Sequence, residues 1–135
     1  MTCPFAVFIR RACAAVLLSL AMLPLSLSYA WTAELVMFER RGCPYCAHWN
    51  AEVAPAYVKT KEGQRAPLRR YDIDQGQPRD VALKSPVIYT PTFVLVDDGR
   101  EIGRITGYID NGMFWGALTQ LLGRLDAISA PPEKL

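Results

Sequence analysis

Two cysteines separated by two residues, in Cys43-Pro44-Tyr45-Cys46, are the part of the sequence best suited to chemistry. At the start of a helix this spacing brings both thiols to one side of the first turn, close enough for a disulfide bond. Cys43 would lie at the helix N-terminus, where unpaired N–H groups and the helix dipole favour a thiolate, the attacking species in disulfide exchange. Cys46 would lie one turn further in. The pattern therefore predicts a redox dithiol with Cys43 as nucleophile and Cys46 as resolving cysteine.

Three other uses of the cysteine pair fit the sequence less well. A zinc site needs about four ligands, and after residue 30 the chain offers Cys43, Cys46 and His48. A c-type haem site needs C-x-x-C-H, whereas Ala47 separates Cys46 from His48. A structural disulfide that closes so short a loop would constrain the unfolded chain little. We therefore expect redox chemistry without a metal or an organic cofactor.

Residues near the motif, and one dipeptide far from it, have both chemical and structural interpretations. His48 could tune the thiolate or carry a proton, but an exposed helix residue is the favoured interpretation. Trp49 is expected to pack beneath the dithiol. Thr90-Pro91 comes directly before an apolar run, and proline marks the start of a strand because it cannot lie inside a central one.

The elements that position these residues follow from apolar patterning. Strands are predicted at 34–40, 68–73, 92–96 and 101–106, and the D-G pair between the last two predicts a hairpin.

Helices are predicted after Cys43, ending or kinking at Pro55, and from Asp110 or Asn111 to the end of a leucine-rich stripe. Residues 59–67 are predicted to form a loop, and residues 79–84 one or two helical turns. A β-α-β unit followed by a hairpin and a helix predicts an α/β domain with a four-stranded mixed sheet flanked by helices.

The first thirty residues have the pattern of a secretory signal. Arg10 and Arg11 precede an uncharged run, and Ser28-Tyr29-Ala30 offers small residues at the positions that a signal peptidase reads. The uncharged run is shorter than the roughly 20 apolar residues of a spanning helix. Cleavage after Ala30 is therefore predicted, with an uncleaved membrane anchor as the alternative. In both cases the rest of the chain is expected outside the cytoplasm, where disulfides persist.

Composition and charge exclude several classes of protein. Of the 135 residues, 51% are hydrophobic and 21% are charged, which excludes disordered and collagen-like chains. The net charge of +2 comes from the signal segment, so the remainder is neutral and nucleic acid is not an expected partner. We predict a signal peptide at 1–30, a single domain at 31–128 and a tail at 129–135, and we expect a monomer.

Several motifs taken together resemble the thioredoxin superfamily: G-C-P-Y-C after an apolar strand, T-P-T-F before another, D-G in a hairpin and Gly107 before an amphipathic helix. The resemblance extends over about residues 33–125. The signal, C-P-Y-C-A-H-W-N and V-A-P-A-Y-V-K-T further resemble the periplasmic thioredoxin-like proteins of bacterial sulfur-oxidation (Sox) systems.

This resemblance implies a thioredoxin fold and a set of site residues. The superfamily has a cis proline that faces the C-x-x-C motif and helps to hold the partner's backbone, and that role falls on Pro91 with Thr90 beside it. Pro44 and Tyr45 complete the active-site loop. One position departs from the pattern, because Met37 stands six residues before Cys43, where thioredoxins bury an aspartate that accepts a proton.

The resemblance also implies an activity. We expect an exported thiol–disulfide oxidoreductase that reduces disulfides of periplasmic proteins, among them sulfur-oxidation or cytochrome-maturation proteins, with a membrane thiol carrier as electron donor. A disulfide oxidase or isomerase is one alternative, and a non-catalytic regulatory module is another. With Met37 in place of the aspartate, water, His48 or Glu39 is left to accept the proton of the resolving step.

Overall fold

Four strands form one mixed sheet in the computed structural model, which describes residues 33–130. They are β1 (Glu34–Glu39), β2 (Leu68–Asp72), β3 (Thr92–Asp97) and β4 (Arg100–Thr106), in the spatial order β2-β1-β3-β4. β1 is parallel to β2 and antiparallel to β3, and β3 forms a hairpin with β4. The predicted strands and sheet type are confirmed.

The predicted signal segment, residues 1–30, lies outside the described residues, as do residues 131–135 of the predicted tail. Within the described part of the chain, no helix is both long enough and apolar enough to cross a membrane.

The helices are α1 (Pro44–Glu52), α2 (Ala54–Tyr57), α3 (Lys61–Arg65) and α4 (Asn111–Ser129), and a 3₁₀ turn covers Ile73–Gln75. The predicted break at Pro55 is confirmed, because α1 and α2 are separated at Val53. The Asp110 side chain caps α4 by accepting a hydrogen bond from the Met113 N–H at 2.9 Å. α4 includes Ser129, the first residue of the predicted tail.

The two faces of the sheet carry separate cores, because alternate strand residues point to opposite sides. One face packs against α1, α2 and α4, and its buried strand residues are Leu35, Met37, Phe93 and Leu95. The other face packs against the 3₁₀ turn and the segment after it, and its buried strand residues are Val36, Phe38, Val94 and Val96. Every member of both groups is at most 1% exposed, so both faces of β1 and β3 are closed to solvent.

The loop predicted at 59–67 is wrong, since α3 lies within it. The Thr60 hydroxyl caps this helix by accepting a hydrogen bond from the Gly63 N–H at 3.1 Å. Gly63 approaches the preceding turn so closely that an added Cβ would lie 1.9 Å from the Tyr57 carbonyl oxygen. A cap and a close contact thus stabilise a helix that the polar composition argued against.

The helical turns predicted at 79–84 are also wrong, because this segment is not helical. Val81 is buried and Leu83 half-buried while Ala82 is exposed, an alternation that belongs to extended chain. Ala82 forms a bridge to Arg100, with its N–H donating to the Gly99 carbonyl at 2.7 Å. The segment therefore covers the second face of the sheet and extends along β4.

Candidate active site

The two cysteines of the predicted dithiol form a disulfide at the N-terminus of α1, with their Cα atoms 5.3 Å apart. Cys43 is the N-cap residue, and its sulfur accepts a hydrogen bond from the Cys46 N–H at 3.1 Å. Pro44 occupies the first turn, where its missing N–H costs the helix nothing. On reduction, a thiolate at Cys43 would therefore face an N–H donor and the positive end of the helix dipole.

Solvent exposure separates the two sulfur-bearing residues. Cys46 is buried at 3% exposure, whereas Cys43 is half-buried. Pro44 and Tyr45, the residues between them, are both exposed. Cys43 is accordingly the more accessible of the two cysteines, and Tyr45 is exposed two residues after it.

Strand register brings the remaining predicted site residues to the same end of the sheet. Phe38 of β1 pairs with Thr92 of β3, and Thr92 pairs with Thr106 of β4. The chain that leaves β1 toward Cys43, the chain that enters β3 after Pro91 and the chain that leaves β4 all lie at this end.

The predicted cis bond between Thr90 and Pro91 is present, which confirms that prediction. Pro91 is buried and its carbonyl accepts a hydrogen bond from the Gly107 N–H at 2.7 Å, while Thr90 is half-buried. Gly107 has φ of +84°, a conformation that favours glycine. A backbone hydrogen bond thus links the residue before β3 to the residue after β4.

Trp49 and His48 take the structural positions that the sequence favoured. Trp49 is fully buried beneath the motif, with its ring centroid 5.0 Å from that of Phe93 and 5.5 Å from that of Phe114. His48, the residue before Trp49 in α1, is exposed. Trp49 and Cys46 thus anchor the buried side of α1 in the same core cluster.

Met37 lies in the core on the sheet face that packs against α1, so a thioether is buried at the position where thioredoxins have an aspartate. Arg70 lies beside it, 3.6 Å from the Met37 sulfur and 5.9 Å from the centre of the Trp49 ring. The same guanidinium donates to Glu39 at 2.8 Å and to Asn50 at 2.7 Å. Glu39, the carboxylate nearest in sequence to Met37, is therefore held in an ion pair with Arg70.

Sequence reasoning missed a buried acid that fixes the chain before Pro91. The Glu101 side chain is 2% exposed, and it accepts hydrogen bonds from the Lys84 N–H at 2.9 Å and from Arg104 Nε at 2.7 Å. Burial alone would raise the pKa of Glu101, but these hydrogen bonds and the charges of Arg104 and Lys84 outweigh burial, and the pKa is lowered. A glutamate at an inward position of a strand, with an arginine three residues later, is a signal that could have identified the pair.

Sequence reasoning also missed Gln77, and the residues around it show no pattern that predicts its contacts. Its side-chain amide donates to the Val87 carbonyl at 3.2 Å and accepts from the Val87 N–H at 3.1 Å. Both backbone groups of Val87 are thereby satisfied by one side chain ten residues earlier.

Comparison with protein families matches residues 33–122 to the thioredoxin-like domain. The chain belongs to the thioredoxin-like family. Among solved structures, the periplasmic thioredoxin SoxS from Paracoccus pantotrophus, in its reduced form, is 44% identical to this thioredoxin-like chain. That match covers 69% of this chain and 98% of SoxS, with a TM-score of 0.67. A search of curated proteins gave no match.

More distant thioredoxins share the fold. The thioredoxin of Fasciola hepatica is 25% identical over 65% of this chain and 79% of its own, with a TM-score of 0.51. A thioredoxin from Thermus thermophilus is 20% identical over 76% and 83% of the two chains, with a TM-score of 0.50. A thioredoxin-like domain with its Cys43–Cys46 pair intact identifies the protein as a thiol–disulfide oxidoreductase.

Proposed function

We propose that this thioredoxin-like protein is exported to the periplasm, where its dithiol reduces disulfide bonds of protein partners. The observation that carries the proposal is the 44% identity to a periplasmic thioredoxin over 98% of that chain. The signal pattern in residues 1–30 supports export independently. Sulfur-oxidation or cytochrome-maturation proteins are the partners that the sequence resemblance implies, and a membrane thiol carrier is the implied electron donor.

The geometry of the dithiol supports a two-step exchange. The Cys43 thiolate attacks one sulfur of the partner's disulfide, a mixed disulfide forms, and the partner's other sulfur leaves as a thiolate that takes up a proton. Cys46 then loses its proton and attacks the Cys43 sulfur. This step forms the Cys43–Cys46 bond and releases the partner's second sulfur as a thiolate, so that two electrons have passed to the partner.

Four residues are proposed to bind the partner around this reaction. Pro44 and Tyr45 are exposed beside Cys43, and Thr90 and Pro91 lie on the connection that enters β3 at the same end of the sheet. This arrangement supports a partner chain that lies across the half-buried Cys43 while Cys46 stays covered.

Trapping of the mixed disulfide tests the assignment of the two thiols. Cys46→Ser keeps the attacking thiol but cannot resolve, so it should accumulate as a long-lived adduct with a disulfide substrate. Cys43→Ser is the matched control and should form no such adduct. Mass spectrometry of both reduced variants after mixing with substrate distinguishes them, and a long-lived adduct on Cys43→Ser alone would reverse the assignment.

Reducing power is tested separately. The wild-type protein should accelerate insulin reduction by dithiothreitol, and Cys43→Ser should not. Its reduction potential should lie well below that of strongly oxidising periplasmic enzymes, about −120 mV. A potential near that value would indicate an oxidase instead.

Export is tested by sequencing the N-terminus of protein from the native host, where Trp31 is the expected first residue. Recovery of residues 1–30 in a membrane pellet would establish the anchored alternative.

A further inference from the structure

Residues 84–91, which lead into β3, form neither a strand nor a helix. Side chains nevertheless hold the backbone of this segment at three places. At its start, Glu101 accepts from the Lys84 N–H and Arg104 donates to the Ser85 carbonyl at 2.8 Å. At its end, the Thr92 hydroxyl donates to the Tyr89 carbonyl at 2.8 Å. Between these two attachments lies Val87.

Gln77 provides the central attachment, and its geometry imitates a neighbouring strand. One amide both donates to and accepts from the backbone of Val87, at 3.2 and 3.1 Å, as a residue of an antiparallel strand does in a hydrogen-bonded pair. Val87 is 2% exposed and packs with the second face of the sheet, so the residue is held through both its backbone and its side chain.

Immediately after Val87 the chain turns two large apolar side chains toward solvent. Ile88 and Tyr89 are each 65% exposed, and Thr90 and Pro91 follow them. The backbone attachments at Val87 and Tyr89 thus bracket the residues that lead into the proposed partner-binding dipeptide.

We propose that Gln77 is a positioning residue for partner binding, because its double hydrogen bond to Val87 fixes the segment that presents Ile88, Tyr89, Thr90 and Pro91. The inference rests on the proposed function, since a polypeptide partner has to contact this segment. A disulfide in a small molecule needs only the Cys43 thiolate. Loss of the Gln77 amide should therefore weaken reaction with protein disulfides and leave reaction with small disulfides unchanged.

The test compares Gln77→Ala with Gln120→Ala, which removes an exposed glutamine on α4. For insulin reduction, KM of Gln77→Ala should rise about threefold to tenfold at unchanged kcat, the size that one net hydrogen bond produces. The rate constant for the reduced protein with 5,5′-dithiobis(2-nitrobenzoate) should equal that of the wild type. Gln120→Ala should match the wild type in both assays.

Amide hydrogen exchange provides the readout at the site itself. The Val87 amide should exchange faster in Gln77→Ala and at the wild-type rate in Gln120→Ala. If Gln77→Ala is too unstable to assay, Gln77→Glu replaces it: an ionised carboxylate still accepts from the Val87 N–H but cannot donate to its carbonyl. It too should raise KM for insulin alone.

Two results overturn the inference while leaving the proposed function intact: an unchanged KM for insulin, or an equal loss of rate with insulin and with the small disulfide. Failure of the wild-type protein to reduce insulin instead overturns the proposed function, and the inference falls with it.

Discussion

Replacement of Glu101 by glutamine removes a buried charge with little change of shape. The carboxylate accepts from the Lys84 N–H at 2.9 Å and from Arg104 at 2.7 and 2.5 Å. Glutamine keeps one acceptor oxygen and turns an NH₂ group toward the remaining donors, so at least one charge-assisted hydrogen bond is lost. Such a bond contributes about 1.5–3 kcal/mol. Because the Arg104 side chain is 20% exposed and can be rehydrated, we expect the free energy of unfolding to fall by about 2 kcal/mol.

The loss in free energy of unfolding caused by Glu101→Gln should depend on pH, and its direction follows from the lowered pKa of Glu101. A carboxyl with a folded pKa below its unfolded value of about 4.3 stabilises the protein fully above that value. The contribution is lost as the pH falls through the folded pKa. The difference between wild type and Glu101→Gln should therefore be complete at about pH 7 and shrink below about pH 4.

Urea unfolding of the oxidised protein at both pH values measures this difference. Asp74→Asn is the control, because Asp74 pairs with Arg40 on the surface, with side-chain exposures of 55% and 49%. Exposed ion pairs contribute about 0–1 kcal/mol. A stabilising role for the Glu101 carboxylate is contradicted if Glu101→Gln lowers the free energy of unfolding no more than Asp74→Asn does. It is also contradicted if the loss caused by Glu101→Gln is the same at about pH 3 as at about pH 7.

Two glycines and one tyrosine give further predictions. Gly63→Ala should destabilise the protein by about 1–3 kcal/mol, because its Cβ would meet the Tyr57 carbonyl at 1.9 Å. Gly116→Ala, with nothing within 4 Å of its Cβ, should stabilise α4 by up to about 1 kcal/mol; urea midpoints that shift in the same direction for both would contradict this. Burial and the hydrogen bond to Glu52 raise the pKa of Tyr108 to about 12. The stability advantage of wild type over Tyr108→Phe should therefore be full below about pH 10 and shrink above it, and an advantage that stays constant up to about pH 11 would count against the assigned pKa.

The strands could be predicted because their signals are local. Four consecutive apolar residues at 35–38 specify a strand buried on both faces. Asp98 and Gly99 specify a tight hairpin because both adopt positive φ, +48° and +70°. The two errors have different causes. α3 depends on its Thr60 cap and on the close approach of Gly63 to Tyr57, local contacts that the polar composition of 59–67 does not reveal. The extended path of 79–84 depends on its bridge to β4, a contact that is distant in sequence.

The candidate site divides in the same way. Cys43 and Cys46 could be found because their spacing and the start of a helix are both visible in the sequence. Gln77 and Glu101 bind backbone groups of residues ten and seventeen positions away. The arginine three residues after Glu101 points to their ion pair, but no neighbouring residue predicts these two longer-range contacts. The sequence also left the environment of Met37 open, since Arg70 reaches it from a different strand.

The order of the strands also determines where this protein is protected against mispairing with another sheet. β1 and β3, the most apolar strands, are the central pair, and β2 and β4 form the two edges. The β2 edge carries Arg69 and Arg70, charges that an incoming strand would have to desolvate. The first part of the β4 edge is already occupied by the Ala82 bridge. The segment that contains Ala82 therefore also protects the start of the β4 edge against pairing with a strand of another molecule.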